Sequence, residues 1–163
     1  GHIITHGETG FPHLLAQTVN PPPVLFVAGS ADLLQQPICA IVGARNSSAN
    51  GKRFARDIAR ELGQRGWKIA SGLARGIDTA AHEASLDQGT IAVIATGLDI
   101  VYPPENAGIQ GQIASSGCVV TERPPGRRDA NAAGARRRVL TPASPGSASP
   151  ADGSPRLLPP ADR

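Results

Sequence analysis

Between Pro23 and Glu122 the chain alternates short apolar runs with helix-like stretches, and glycines sit at most of the switches. That alternation constrains the fold more than any other feature. The runs "PVLFVAG" (23–29), "ICAIVG" (38–43), "WKIAS" (67–71), "TIAVIA" (90–95) and "CVVTE" (118–122) read as strands. "GKRFARDIARELGQR" (51–65) sets Phe54, Ile58 and Leu62 four apart beside Ala55 and Ala59, which predicts one apolar helical face. Ser47, Ser48 or Asn50 can cap its start, and Gly66 ends it. "IDTAAHEASLDQ" (77–88) reads as a second helix stopped by Gly89, and "GIQGQIASS" as a weaker third. Strands and helices at this spacing imply right-handed βαβ units, hence an α/β fold with a parallel sheet.

The composition changes near Gly126. Residues 127–163 hold six prolines and no aromatic residue, and only Val139, Leu140, Leu157 and Leu158 offer sizeable apolar surface. Such a stretch cannot offset its ordering entropy, so it is expected to be a disordered Arg/Pro/Ala-rich tail. Its vocabulary is also that of GC-rich DNA read out of frame. The net charge of +3 is unevenly spread. Residues 1–126 carry nine Lys/Arg against ten Asp/Glu, and residues 127–163 carry seven against three. The basic balance therefore belongs to the tail and is no argument for a nucleic-acid-binding body. No run of 18 apolar residues predicts a membrane span, and the N-terminus lacks the layout of a secretory signal. It also lacks an initiator Met, which points to a fragment. Cys39 and Cys118 lie in or beside apolar runs and read as two buried thiols of a cytoplasmic protein, with no metal site.

Open parallel sheets bind ligands beyond the carboxyl ends of their strands. Three turns occupy such positions: "VGARNSS" (42–48), "SGLARGID" (71–78) and "ATGLDIVYPPEN" (95–106). If their strands are neighbours, the turns converge on one crevice. Gly43, Gly72 and Gly76 permit close backbone approach with N–H groups turned outward. A helix starting near Ile77 points its positive end there. Arg45 and Arg75 add planar, permanently charged donors suited to phosphate. Asp78 is expected to cap the helix or order the turn. His82 lies one helical turn further along the same face. Ser71, Asp78 and His82 do not make a hydrolytic triad, because no G-x-S-x-G elbow is present. Lys52, Arg53, Arg56 and Arg60 alternate with the apolar stripe of the first helix and read as a solvated face, with a backbone-contacting flank as the alternative. Neither G-x-G-x-x-G nor a P-loop occurs, so no nucleotide cofactor is expected.

Taken together, "FPHLLAQTVNPPPVLFVAGS", "AIVGAR", "SGLARGIDTAAH", "TIAVIATGLDIVYPPEN" and "GCVVTERPPG" resemble, in order and spacing, the DprA/Smf family of bacterial DNA-processing proteins of natural transformation. The resemblance covers about residues 1–126 and implies a Rossmann-like sheet flanked by helices, incomplete in this chain. It implies a non-catalytic protein that binds single-stranded DNA, loads the RecA recombinase and acts as a homodimer. Carried over by position, the family's G-S-R turn falls on Gly43, Ala44 and Arg45, with Arg45 the main phosphate contact. Ser71, Gly72, Arg75, Gly76 and Asp78 then form the adjoining wall through backbone N–H groups. Ala44 stands where Ser is usual and Ala95 where Gly is common. After "TERPPG" the family continues into a basic F-P-x-R-N-R segment that is absent here, so dimer and RecA contacts are expected to be missing. Two other readings stand beside this one. One is a nucleotide-processing hydrolase of the LOG or lysine-decarboxylase-like group. The other is an inactive gene remnant.

Overall fold

The computed structural model describes residues 1–127. Apart from Arg127 itself, the tail expected to be disordered lies outside the described residues. Strands β1 (His2–Thr5), β2 (Val24–Gly29), β3 (Ile38–Ala40), β4 (Lys68–Ser71), β5 (Thr90–Val93) and β6 (Cys118–Thr121) form one sheet in the order β1-β2-β6-β5-β4-β3. The longer helices are α2 (Ala49–Gln64), α3 (Ile77–Ser85) and α4 (Ala107–Ser116), and a single short turn of helix, α1, spans His13–Ala16.

The α/β class follows the sequence, and β3, β4, β5 and β6 are parallel. The "PVLFVAG" strand is not: β2 runs antiparallel to β6, and β1 antiparallel to β2. A parallel neighbour requires a long crossover, usually a helix. Between β2 and β3 the chain makes only a short 3₁₀ turn at Ala31–Gln35, and β2 finds its partner in β6 instead. The sheet is therefore mixed. Strand β1 escaped the sequence reading because "HIIT" has just two apolar residues, of which Ile4 alone is buried.

Alternation along the strands splits the core between two faces. Ala70, Ile91, Val93 and Val120 pack with Leu25 and Val27 on one face, under Phe11, Leu15 and Leu34. Ile69, Ala92 and Val119 face the other way, under Ala59 of α2, Ala81 of α3 and Ile113 of α4. Among the described residues, the three longer helices thus share one face. Cys118 is buried, which pushes its thiol up to about 12, whereas Cys39 is only half-buried.

Helix α2 is rotated from its expected face. Ala55, Ala59 and Gly63 are its buried residues, Ile58 and Leu62 are half-buried, and Phe54 is 67% exposed. The small residues let α2 lie close against α3, where Ala81 is fully buried. Summed apolar spacing favoured the large side chains; backbone proximity selected the small ones. Ser48 is the cap: its hydroxyl accepts from Gly51 N at 3.1 Å.

His82 points from α3 into the core and is fully buried. Thr90 Oγ1 spends its proton on the Ile69 carbonyl at 2.7 Å, so His82 Nδ1, at 2.9 Å, must be the donor to Thr90. Nε2 makes no hydrogen bond of good geometry, and a backbone contact with Ser71 offsets only part of the burial. Burial lowers the imidazole from 6.5 to about 4. Between those values the unfolded chain holds one more proton than the folded one, so acid favours unfolding. Stability from a neutral His82 is complete above about pH 6.5 and is lost as pH falls through about 4, on the order of 3 kcal/mol in all. Urea unfolding at pH 7 and pH 4.5 should show this loss in the wild type, and less of it in His82→Gln. Equal losses in both would remove His82 as the cause.

Candidate functional site

Strands β3, β4 and β5 are neighbours, so their carboxyl-end turns do converge. The first turn rests on the second. Ser71, at the end of β4, is buried and donates its hydroxyl to the Ile41 carbonyl at 2.6 Å, extending the β3–β4 contact past the last ladder pair. Ile77 N donates to the Ala44 carbonyl at 3.4 Å, so the first turn caps the start of α3. Gly43 leaves room for Ile77: a Cβ there would lie 2.7 Å from Ile77 Cγ1. At Gly76, φ +83°, any Cβ would run into the carbonyls of Ala44 and Arg45.

Asp78 ties these pieces together. Its buried carboxylate accepts from Gly43 N at 3.3 Å, Gly72 N at 3.2 Å and Ala74 N at 3.3 Å. One side chain therefore orders two turns that are distant in sequence. This corrects the anticipated geometry. The N–H groups of Gly43 and Gly72 turn inward to Asp78 rather than outward to an anion, and the Ser71 hydroxyl is spent on Ile41. Ser71, Gly72 and Asp78 are the frame of the crevice, not its lining. The same bonding excludes them as a triad, since His82 points to Thr90.

What faces outward is Arg45. It is exposed, and among the described residues its guanidinium has no ion pair and the N–H groups of Ala44 and Arg45 have no hydrogen-bond partner. Ser47 adds a buried hydroxyl with no partner, beside the same Gly76. From the sequence, Ser47 is a cap candidate; in the fold Ser48 takes that place. Arg75 is also exposed but is paired with Glu105.

The third turn is fastened to the second. Asn106 donates to the Leu73 carbonyl at 2.8 Å and lies 3.1 Å from Thr79 Oγ1. Asp99 accepts from Gly126 N at 2.9 Å, and Gly97 N donates to the Arg127 carbonyl at 2.9 Å. This places "TERPPG" against the third turn. Beside the crevice, between α2 and α3, runs a groove of about 210 Å³ bordered by Lys52, Arg56 and Arg75. From the sequence, Lys52 and Arg56 fit either a solvated face or a backbone-contacting flank. Their i, i+4 spacing puts both on the side of α2 that meets α3, whereas Arg53 and Arg60 are exposed. Only the approach of α3 separates the two pairs; the sequence of α2 does not.

The family model described as DNA recombination-mediator protein A matches residues 2–144. Protein Smf of Synechocystis is 39% identical over 132 residues, which is 77% of this chain and 33% of that protein. DNA processing protein DprA of Streptococcus pneumoniae is 42% identical over 120 residues, 72% of this chain and 42% of that one. The chain thus spans well under half the length of these curated relatives. The crystal structure of the Streptococcus pneumoniae protein superposes with a TM-score of 0.80 at 37% identity, covering 85% of this chain and 50% of that one. DNA processing protein A of Helicobacter pylori, whose structure is described for its single-stranded DNA binding mode, gives 0.71 at 31% identity, covering 77% and 58%. No helix among the described residues is long and apolar enough to cross a membrane.

Proposed function

We infer, because the chain belongs to the DNA recombination-mediator protein A family, that its crevice holds the phosphate backbone of single-stranded DNA during natural transformation. The carrying observation is Arg45: a cation without a partner among the described residues, on a turn whose Ala44 and Arg45 N–H groups are likewise unpaired there, held from behind by Gly76 and Asp78. Phosphate offers the acceptors that such a turn lacks. Ala44 and Arg45 form the contacting edge, Gly43 ties that edge to Asp78, and Arg75 and Gly76 form the adjoining wall. Ser71, Gly72 and Asp78 keep the two in register.

The protein acts by binding rather than catalysis. Its Ser, Asp and His candidates are each spent on structural hydrogen bonds. Binding through backbone phosphates carries little base preference, as suits a protein that must accept any incoming strand. The bound strand is then passed to the RecA recombinase. The work is cytoplasmic, and the Helicobacter pylori relative supports the choice of ligand.

Fluorescence anisotropy with a labelled thymidine 20-mer tests the reading. The log–log salt slope should lie near −2, at about −0.7 per phosphate contacted. Arg45→Ala should weaken binding by roughly 1–3 kcal/mol, the range for hydrogen bonds to charged groups. An Arg45→Ala chain with wild-type affinity at every salt concentration would sink the assignment.

A further inference from the structure

We propose that the groove between α2 and α3 is a second phosphate subsite, and that Glu83 and Glu105 are its resident counter-charges, displaced when a strand enters. The proposal rests on the single-stranded DNA reading and extends its path beyond Arg45.

Lys52 and Arg56 line one wall from α2, and Gly76 and Glu83 the other from α3. Arg75 and Asn106 close the end nearest the crevice. Gly76 belongs to both places: it lines the groove, and it lies against the Ala44 and Arg45 carbonyls. A strand leaving Arg45 past Gly76 therefore enters the groove directly. A groove of about 210 Å³ that is open to solvent has room for one hydrated phosphodiester. No large apolar or aromatic side chain lines it, so it offers nothing to a base or to the apolar anchors of a peptide. Its chemistry is that of backbone positioning.

Two of its three cations are already paired. Arg56 Nη2 meets Glu83 Oε2 at 3.0 Å, bridging α2 to α3, and Arg75 meets Glu105 of the third turn. All four side chains are substantially exposed, from 41% to 61%. Exposed pairs of this kind are weak and screened by salt. Phosphate offers arginine a bidentate, charge-assisted contact and can replace either carboxylate. Lys52 has no carboxylate partner among the described residues and supplies the standing attraction. The carboxylates hold both arginines at the groove in the free protein and set how tightly a strand is held.

The test uses the full chain and the same labelled thymidine 20-mer over a range of salt. Glu105→Gln and Glu83→Gln should each bind roughly two- to fivefold tighter, the range implied by losing a weak competing ion pair. A gain in affinity cannot arise from misfolding. The double variant Lys52→Gln/Arg56→Gln should bind more weakly, with a salt slope shallower by about 0.7, the share of the one phosphate the groove holds. Glu61→Gln and Arg65→Gln, a pair at the far end of α2 joined at 2.6 Å, control for net charge and should stay within about twofold of wild type. If the groove variants behave like these controls while Arg45→Ala still weakens binding, the second subsite is wrong and the crevice reading survives. If the unsubstituted chain fails to bind the oligonucleotide, both fall.

Discussion

Replacing Asp78 by Ala should destabilise the fold by about 3–5 kcal/mol and abolish oligonucleotide binding in the same step. Three N–H groups, those of Gly43, Gly72 and Ala74, lose their shared acceptor. A hydrogen bond to a charged group contributes about 1.5–3 kcal/mol, and a buried donor left without a partner costs about 1–3 kcal/mol. The three bonds are long, at 3.2–3.3 Å, and water can reach the first turn, which keeps the total below their simple sum. Function goes with stability because the carboxylate holds the Arg45 turn against the β4 turn. Urea unfolding and the anisotropy titration together check this. Asp78→Asn keeps a neutral acceptor and should fall between Ala and wild type in both. A wild-type unfolding midpoint for Asp78→Ala would mean that the two turns are held by something else.

Gly76→Val should be nearly as severe, at about 3–5 kcal/mol. At φ +83° and ψ −118°, this residue adopts a conformation that β-branched side chains avoid. The added Cβ would also point into the carbonyls of Ala44 and Arg45 and to within 2.9 Å of Ser47 Oγ. Strain at such a position costs about 1–3 kcal/mol, and overpacking adds about 1–3 kcal/mol. Relief requires moving the first turn, so Arg45 should lose its place even where the rest of the sheet survives. The measurement is again paired: thermal or urea unfolding for the fold, anisotropy for the site. Normal affinity in Gly76→Val would show that Arg45 does not depend on this contact. Gly66, also at positive φ, has open space around its missing Cβ and serves as the comparison: Gly66→Ala bears the backbone strain alone.

Much of this was legible beforehand, for a definite reason. Strands β2 to β6 and helices α2 and α3 announce themselves through local periodicity and glycine stops, which are properties of neighbours in sequence. The three carboxyl-end turns could be identified as one crevice because parallel strands place their turns at one edge. Arg45 stood out by its residue type in the first of those turns.

Other features depend on groups far apart in the chain. Whether a glycine N–H faces solvent or a carboxylate is decided by where Asp78 lies, 35 residues beyond Gly43. The direction of β2 depends on β6, almost a hundred residues later, and no local pattern distinguishes a parallel from an antiparallel strand of that composition. Phe54 looks like core until α3 approaches along Ala55, Ala59 and Gly63 instead. Lys52 and Arg56 look like a solvated face until the same approach turns them into the wall of a groove. The sequence by itself determined the elements, the α/β class, the family pattern and the cation at the crevice, since each rests on residue types at short spacing. Tertiary structure alone decided which polar groups are spent internally and which remain to meet a ligand. Hydrogen bonds and ion pairs act over only a few ångströms, and their partners here are brought together by the sheet, not by the chain.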